Sequence, residues 1–502
     1  MVTGAIVALL ALRFAELRTV AHLLYSPELL DLASLAWDAD QGRLHHDGSV
    51  AGFVATYQYN HFDQGTLLIQ ALHWLTSRLV GFGTAPFHGV GLLFEAVTIA
   101  AVTVLATRIA GLRGLLAVGV LLLAPAFLVA WQLMPYGNHT EFLVVPVLCA
   151  TAWTRERPPW AAVVALLVAG VVLYRLNGVS LAAFALTALA TRTHRAQGLR
   201  AAGLAAVAAV AAVGLLYAAW PGDENVDVGL IPRLGLSGSV WDVLVFLGAP
   251  RNHLGGWPWR LALTVWALAG ASAGLRSGAL RPFTVYCLAL AGLGLGVPLA
   301  LAPRAEYMIT GVLGLVLLGL PALAKPGPHR LVASAGAALM LLSGFVDATA
   351  LIGPSTWETT RGFDAQRLHF ELGIEDPDVD ELPFYRRLLD EGRGSRDLGL
   401  ATATHFELQC PLQPGRLDPG PLRRADEQRC GGWSPGGLTA HIVRISEGGW
   451  SPTTQGLRDF GAGAWIVCQR EVACVEESLV GAPDDLRETI LIGARAEAAR
   501  AR

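Results

Sequence analysis

Apolar runs separated by short polar intervals recur along the first 350 residues, at about 86–107, 113–132, 139–153, 159–174, 178–191, 200–220, 257–275, 282–302, 306–324 and 331–352. A helix needs roughly 20 apolar residues to cross a bilayer. Several of these runs fall short of that, as helices do where a bundle lines a cavity. An earlier run, 2–24, is interrupted by Arg13, Glu16 and Arg18. An ionised group in a span costs about 2.5–3.5 kcal/mol on insertion scales. Arg13 and Glu16 are three apart, so they are expected to share a helix face, to pair and to point into the bundle. The run has neither the basic start nor the small-residue cleavage site of a signal peptide, and it predicts a first span. The segment GTLLIQALHWLTSRLVGFG, 65–83, is short and amphipathic, broken by Gln70, His73 and Arg78, and is expected at or in the interface.

After residue 353 the apolar runs stop. Residues 354–502 are charged and rich in Gly and Pro, and long enough to bury a core of their own. LTAHIVRI (438–445) and GAWIVC (463–468) alternate as strands do. Residues 376–392 and 484–502 read as helices. The expected architecture is an all-α polytopic membrane bundle of about eleven to twelve spans over 1–353, with a large outer loop at 26–66. A C-terminal extracytoplasmic α+β domain is expected to follow over 354–502.

Composition narrows the class. The chain is 53% hydrophobic and 15% charged, where a soluble protein carries about 25% charged residues. A net charge of −3 gives no basic footprint for nucleic acid. Lys325 is the single lysine, so the positive charge is carried almost wholly by arginine. Arg108 and Arg113, Arg155 and Arg157, Arg192 to Arg200, Arg276 and Arg281, and Lys325 to Arg330 fall in alternate loops, which the positive-inside rule puts in the cytoplasm. The other loops, 133–138, 175–177, 221–256 and 303–305, and everything after 353 are then outside. Cys149 and Cys287 lie in apolar runs and read as small buried hydrophobes. Cys410, Cys430, Cys468 and Cys474 lie in the polar C-terminal part without zinc-like spacing and are expected to form disulfides, in any of three pairings.

Candidate chemistry concentrates outside. The interval 26–66 holds Glu28, Asp31, Asp38, Asp40, His45, His46, Asp47, His61 and Asp63. Acids and imidazoles at the mouth of a bundle suit a general base, a metal site or a proton relay. His139 and Glu141 stand beside Pro135 and Gly137 between two runs. Arg175, Arg251 and Arg304 lie in outer loops against the topology rule, and phosphate recognition by a guanidinium fork would explain them. The sequence contains no P-loop, dinucleotide fingerprint or HExxH motif.

This layout resembles the GT-C superfamily of membrane glycosyltransferases, such as protein O-mannosyltransferases and lipid A aminoarabinose transferases. The family pattern is a first span, then a long outer loop with an early acidic residue, a glycine about ten residues on, and an aromatic-His turn into the next hydrophobic segment. Asp31, Gly42 and YNHFDQGTLL (59–68) occupy those places. Phe62 and Asp63 stand where prolines are usual, and Leu32 where mannosyltransferases carry a second acid. The resemblance implies transfer of a sugar from a polyprenyl-phosphate in a bacterial inner membrane to an acceptor outside, with inversion and Asp31 as base. It implies His61, Asp63, His139, Glu141, Arg175, Arg251 and Arg304 as donor-phosphate or substrate contacts. Some relatives use a divalent metal ion, Mg or Mn, for which Asp31, His61 and Asp63 are the candidates. The competing reading is a transporter or lipid flippase, whose path Arg13, Glu16, Glu95 and Arg175 would mark.

Overall fold

A computed structural model describes residues 1–20, 66–81, 84–125, 128–129, 141–192, 194–219, 251–252, 255–301, 308–352, 454–467, 471–480 and 484–501. The chain divides into two compact units. The first comprises Met1–Leu24, Gly42–Gly81 and Ala85–Phe363, and the second Tyr25–Gln41, Phe82–Thr84 and Asp364–Arg502.

In the first unit the described residues form helices α1 (Val2–Val20), α2 (Thr66–Val80), α3 (Thr84–Ala110), α4 (Leu115–Leu122), α5 (Val144–Ala152), α6 (Trp160–Leu173), α7 (Gly178–Ala190) and α8 (Arg195–Ala219). A two-residue antiparallel pair, β1 (Arg251–Asn252) and β2 (Gly255–Gly256), leads into α9 (Trp257–Leu275). Then come α10 (Arg281–Leu301), α11 (Ile309–Leu318), α12 (Leu320–Ala324) and α13 (Pro328–Ile352). Short 3-10 turns, Gly111–Gly114 and Arg175–Asn177, join α3 to α4 and α6 to α7.

Four segments among the described residues are long and apolar enough to cross a membrane: His88–Leu122, which runs through the first 3-10 turn, Arg195–Leu216, Arg281–Pro298 and Pro328–Val346. The outward faces agree with that. Leu204, Val207, Val210 and Leu215 of α8 are exposed, as are Leu331, Leu339, Leu342 and Phe345 of α13. Contiguous apolar surface of this kind is at home in lipid and a liability in water.

The interior is built around α9, which packs against α11, α12 and α13, while α10 packs against α7 and α11. Trp266 of α9 is fully buried, and its indole Nε1 donates to the Val316 carbonyl at 2.8 Å. The approach is so close that a side chain on Gly319 would run into the Trp266 ring, and one on Gly270 would meet the Leu318 carbonyl. Small residues give membrane helices such contacts, since lipid tails offer no hydrophobic drive to associate.

Several of the basic turns lie beside one another. Arg276 Nη1 lies 3.4 Å from His329 Nε2. The Trp160 indole donates to Gln197 Oε1 at 3.0 Å and stacks edge-on with His194. The turn holding Arg113 packs on α12, which ends beside Lys325.

In the second unit the described residues form α14 (Thr454–Val467), α15 (Val472–Ser478) and α16 (Asp484–Arg500). The helix expected over 484–502 is present. The strand expected at 463–468 is replaced by the last turns of α14. The buried positions Leu457, Gly461, Ala462, Ala464 and Trp465 recur at helical spacing. Gly461 and Gly493 let α14 and α16 touch backbone to backbone, since a side chain at either would strike a carbonyl of the other helix. The strand expected at 438–445 and the helix expected at 376–392 lie outside the described residues.

Gly319→Ala is expected to destabilise the bundle by about 1–3 kcal/mol through overpacking. Gly203→Ala, which would meet nothing within 4 Å, should be neutral or stabilising by up to about 1 kcal/mol from helix propensity. Thermal unfolding of the two variants in detergent checks the contrast.

Candidate functional site

At the ends of α5 and α6 away from the basic turns the chain is irregular. α6 spans about 21 Å at 1.5 Å per residue and α7 is shorter still, and both are apolar; non-helical backbone between such helices is tolerated in hydrocarbon only where protein covers it or it lines a cavity. Tyr174 is extended, at φ −153° and ψ 110°, and the 3-10 turn Arg175–Asn177 follows. The buried Asn177 holds the break closed. Its Nδ2 donates to the Gly170 carbonyl at 3.1 Å, which also accepts the Tyr174 N–H at 2.9 Å. The Gly170 carbonyl thus keeps its helical bond and gains a side-chain donor from beyond the break.

Aromatic packing brings a second segment to this break. The Phe142 ring lies 6.2 Å from Tyr174 and 5.9 Å, edge-on, from Phe94 of α3. Val145 completes the buried cluster, with Leu68 of α2 and Leu173 against it. Glu141 precedes Phe142 and Arg175 follows Tyr174, so contact of the two rings draws these two sequence-predicted residues into one neighbourhood. Glu141 is buried, and Arg175 is half-buried with its Nε and Nη2 enclosed.

One residue beyond Phe94 is a second polar cluster. Arg13 of α1 is fully buried between two carboxylates. Its Nε donates to Glu95 Oε1 at 3.0 Å and Oε2 at 3.1 Å, its Nη2 to Glu95 Oε1 at 2.8 Å, and its Nη1 to Glu16 Oε2 at 2.8 Å. Glu16 is 1% and Glu95 5% exposed. The expected Arg13–Glu16 pair is therefore present and faces inward. Sequence reasoning left Glu95 without a partner. Its signal was available, because Glu95 is the single acid in the 27 residues of α3, and a lone acid in a span needs a counter-charge.

Of the other expected site residues, Arg251 sits in β1, its backbone paired with Gly256 ahead of α9. Asp31, His61, Asp63, His139 and Arg304 lie outside the described residues, and with them all three metal candidates. Among the described residues no group of three His, Cys, Asp or Glu side chains could hold a metal ion. Cys474 lies in α15, while Cys410, Cys430 and Cys468 lie outside the described residues. No family model, curated protein or solved structure matches the chain.

Removing one partner of a buried ion pair strands the other charge and costs about 3–5 kcal/mol, whereas replacing the whole group by apolar side chains is often neutral. Arg13→Met is therefore expected to be strongly destabilising, and the triple change Arg13→Met, Glu16→Leu, Glu95→Leu to recover most of the loss. Denaturant unfolding in detergent measures both; a triple variant no more stable than Arg13→Met alone would refute this coupling of the three groups.

Proposed function

We propose that this chain is an integral membrane glycosyltransferase of the GT-C type. It moves a sugar from a polyprenyl-phosphate donor to an acceptor on the extracytoplasmic side of a bacterial inner membrane. The observation that carries the reading is the contact of Phe142 with Tyr174, which brings the adjacent Glu141 and Arg175 into one neighbourhood at a helix break, on the end of α5 and α6 away from the basic turns. A lipid-linked phosphate arriving from the bilayer would meet cations and acceptor contacts there. The span count of about eleven to twelve, the multi-pass topology, and an extracytoplasmic, disulfide-bearing domain over 354–502 belong to the same proposal.

In this reading the acceptor oxygen or nitrogen attacks the anomeric carbon from the face opposite the phosphate. The bond from that carbon to the phosphate oxygen breaks, and polyprenyl-phosphate leaves with the bonding pair, so the configuration inverts. Asp31 takes the acceptor proton and stabilises charge at the sugar carbon. Arg175, Arg251 and Arg304 hold the phosphate, each able to offer a planar fork of donors. His139 and Glu141 position the sugar or acceptor. Asp31 and Asp63 offer the oxygen donors that Mg or Mn takes, with His61 as a neighbouring imidazole; such an ion would supply charge neutralisation at the phosphate.

The second reading, a transporter or lipid flippase, draws on the Arg13–Glu16–Glu95 triad, because ionisable groups inside a bundle mark translocation paths. Turnover separates the two. Purified protein in nanodiscs, supplied with a panel of polyprenyl-phosphate sugars and candidate acceptors, is expected to release polyprenyl-phosphate. Asp31→Asn should lower that rate by about 10²–10⁴-fold, the usual worth of a positioned acid or base, and Arg175→Gln should weaken donor use. A chelator arm assigns the metal. Lipid movement across the bilayer with no release from any donor would favour the transporter.

A further inference from the structure

Beside the triad is a small cavity of about 30 Å³. It is lined by Glu95 and Thr98 of α3 and by apolar side chains, among them Leu121, Leu128, Leu143 and Val312. Two independent features set this cavity apart. The first is charge. Glu16 and Glu95 both accept hydrogen bonds from the one guanidinium of Arg13, so the triad carries one more carboxylate than it has guanidinium groups. Glu95 Oε2 accepts a single bond, at 3.1 Å. The second is Thr98. The buried threonines Thr103, Thr187, Thr191 and Thr284 each donate to the carbonyl four residues back, at 2.7–2.9 Å. Thr98 does not. It is 6% exposed, its Oγ1 has no hydrogen-bond partner, and it lines the cavity with Glu95 one helical turn away.

A buried hydroxyl without a partner and a buried carboxylate in excess are both unfavourable alone, and a single ligand at this point would relieve them together. We propose that the cavity is a site for one monovalent cation, either a proton carried with a water molecule or an alkali metal ion, held by Glu95 and Thr98. The volume admits about one water-sized species and rejects organic cations. The triad's surplus of one negative charge is balanced by one monovalent cation, whereas a divalent ion would leave a net positive charge buried among apolar walls. The charged groups around Glu95 among the described side chains are Arg13 and Glu16 of α1 and, beyond the Phe94–Phe142 contact, Glu141. The walls contributed by α4 and α11 are apolar, so among the described residues lining the cavity no cation neutralises the surplus. The site is independent of the transferase reading, and its test uses no turnover.

The test is made on the full chain in nanodiscs. One arm records the infrared band of buried carboxylic acid in wild type. The other records the thermal midpoint against Na⁺ and K⁺ at constant ionic strength. The expectation is either a carboxylic acid band or a saturable midpoint rise with one alkali ion, and the arm that responds names the cation. Glu95→Gln removes the surplus, so the response should vanish whichever carboxylate held the charge. Thr98→Val should shift the infrared band or raise the half-saturating ion concentration about tenfold or more, the worth of a hydrogen bond to a charged group, and Thr98→Ser should restore it. Glu156→Gln, at an exposed turn, should change nothing. Absence of both responses in wild type, or a response unaltered by Thr98→Val and by Glu95→Gln, overturns the proposal.

Discussion

A guanidinium with no access to water has to be surrounded by its own acceptors, and that requirement shapes the first unit. Arg13 meets it with carboxylates from two helices far apart in sequence, Glu16 on its own helix and Glu95 on α3. In a medium where Coulomb forces are weakly screened, the donors must be aimed and not merely nearby, so α1 has one rotation and one height against α3. The next residue along α3 toward its start, Phe94, lies on Phe142, which in turn lies on Tyr174 at the α6–α7 break. The polar triad and the aromatic chain thus share one stretch of α3, and any shift of that helix is felt at the Glu141–Arg175 segment.

Much of the helical layout was legible because apolar run length is a local property. The runs at 159–174, 178–191, 257–275 and 282–302 agree to within about a residue or two with α6, α7, α9 and α10. The inward pairing of Arg13 with Glu16 was legible for the same reason, since three residues on a helix fix a shared face. What failed needed contacts between segments. GAWIVC alternates over too few residues to tell a strand from a buried helix. Its helical state is settled by α16, whose Gly493 admits the α14 backbone. Likewise Glu95 is 82 residues from Arg13, and no local pattern joins them. The neighbourhood of Glu141 and Arg175 depends on two rings meeting across α5 and α6.

The same logic explains why the bundle combines tight and loose faces. Where α9 meets α11 and α12, glycines remove the side chains and a tryptophan fills the groove, with its one polar atom bonded to a carbonyl. Buried aromatic N–H groups need such a partner, and the partner then dictates register. α8 and α13 by contrast present long apolar side chains outward, where shape matters little because lipid conforms to them. Specific packing is confined to the inner faces, and there it is set by few residues.

An ion triad is a poor way to hold two helices together, since well-packed apolar side chains of similar volume do as well or better. Its value here is discrimination. α1 is apolar on nearly every side, with Val7 and Phe14 exposed and Leu9 buried, so its apolar contacts would tolerate rotation about its axis at little energetic difference. Rotating Arg13 away from Glu95 would place a guanidinium and a carboxylate separately in an apolar medium, which no alternative packing of α1 offsets. A charge cluster that permits only one docking of α1, and that carries a negative charge in excess beside a polar-lipped cavity, ties the placement of this helix to the occupancy of that cavity. Loss of the bound cation would leave the surplus charge at Glu95 uncompensated, and so would act on the helix whose Phe94 supports the Phe142–Tyr174 contact.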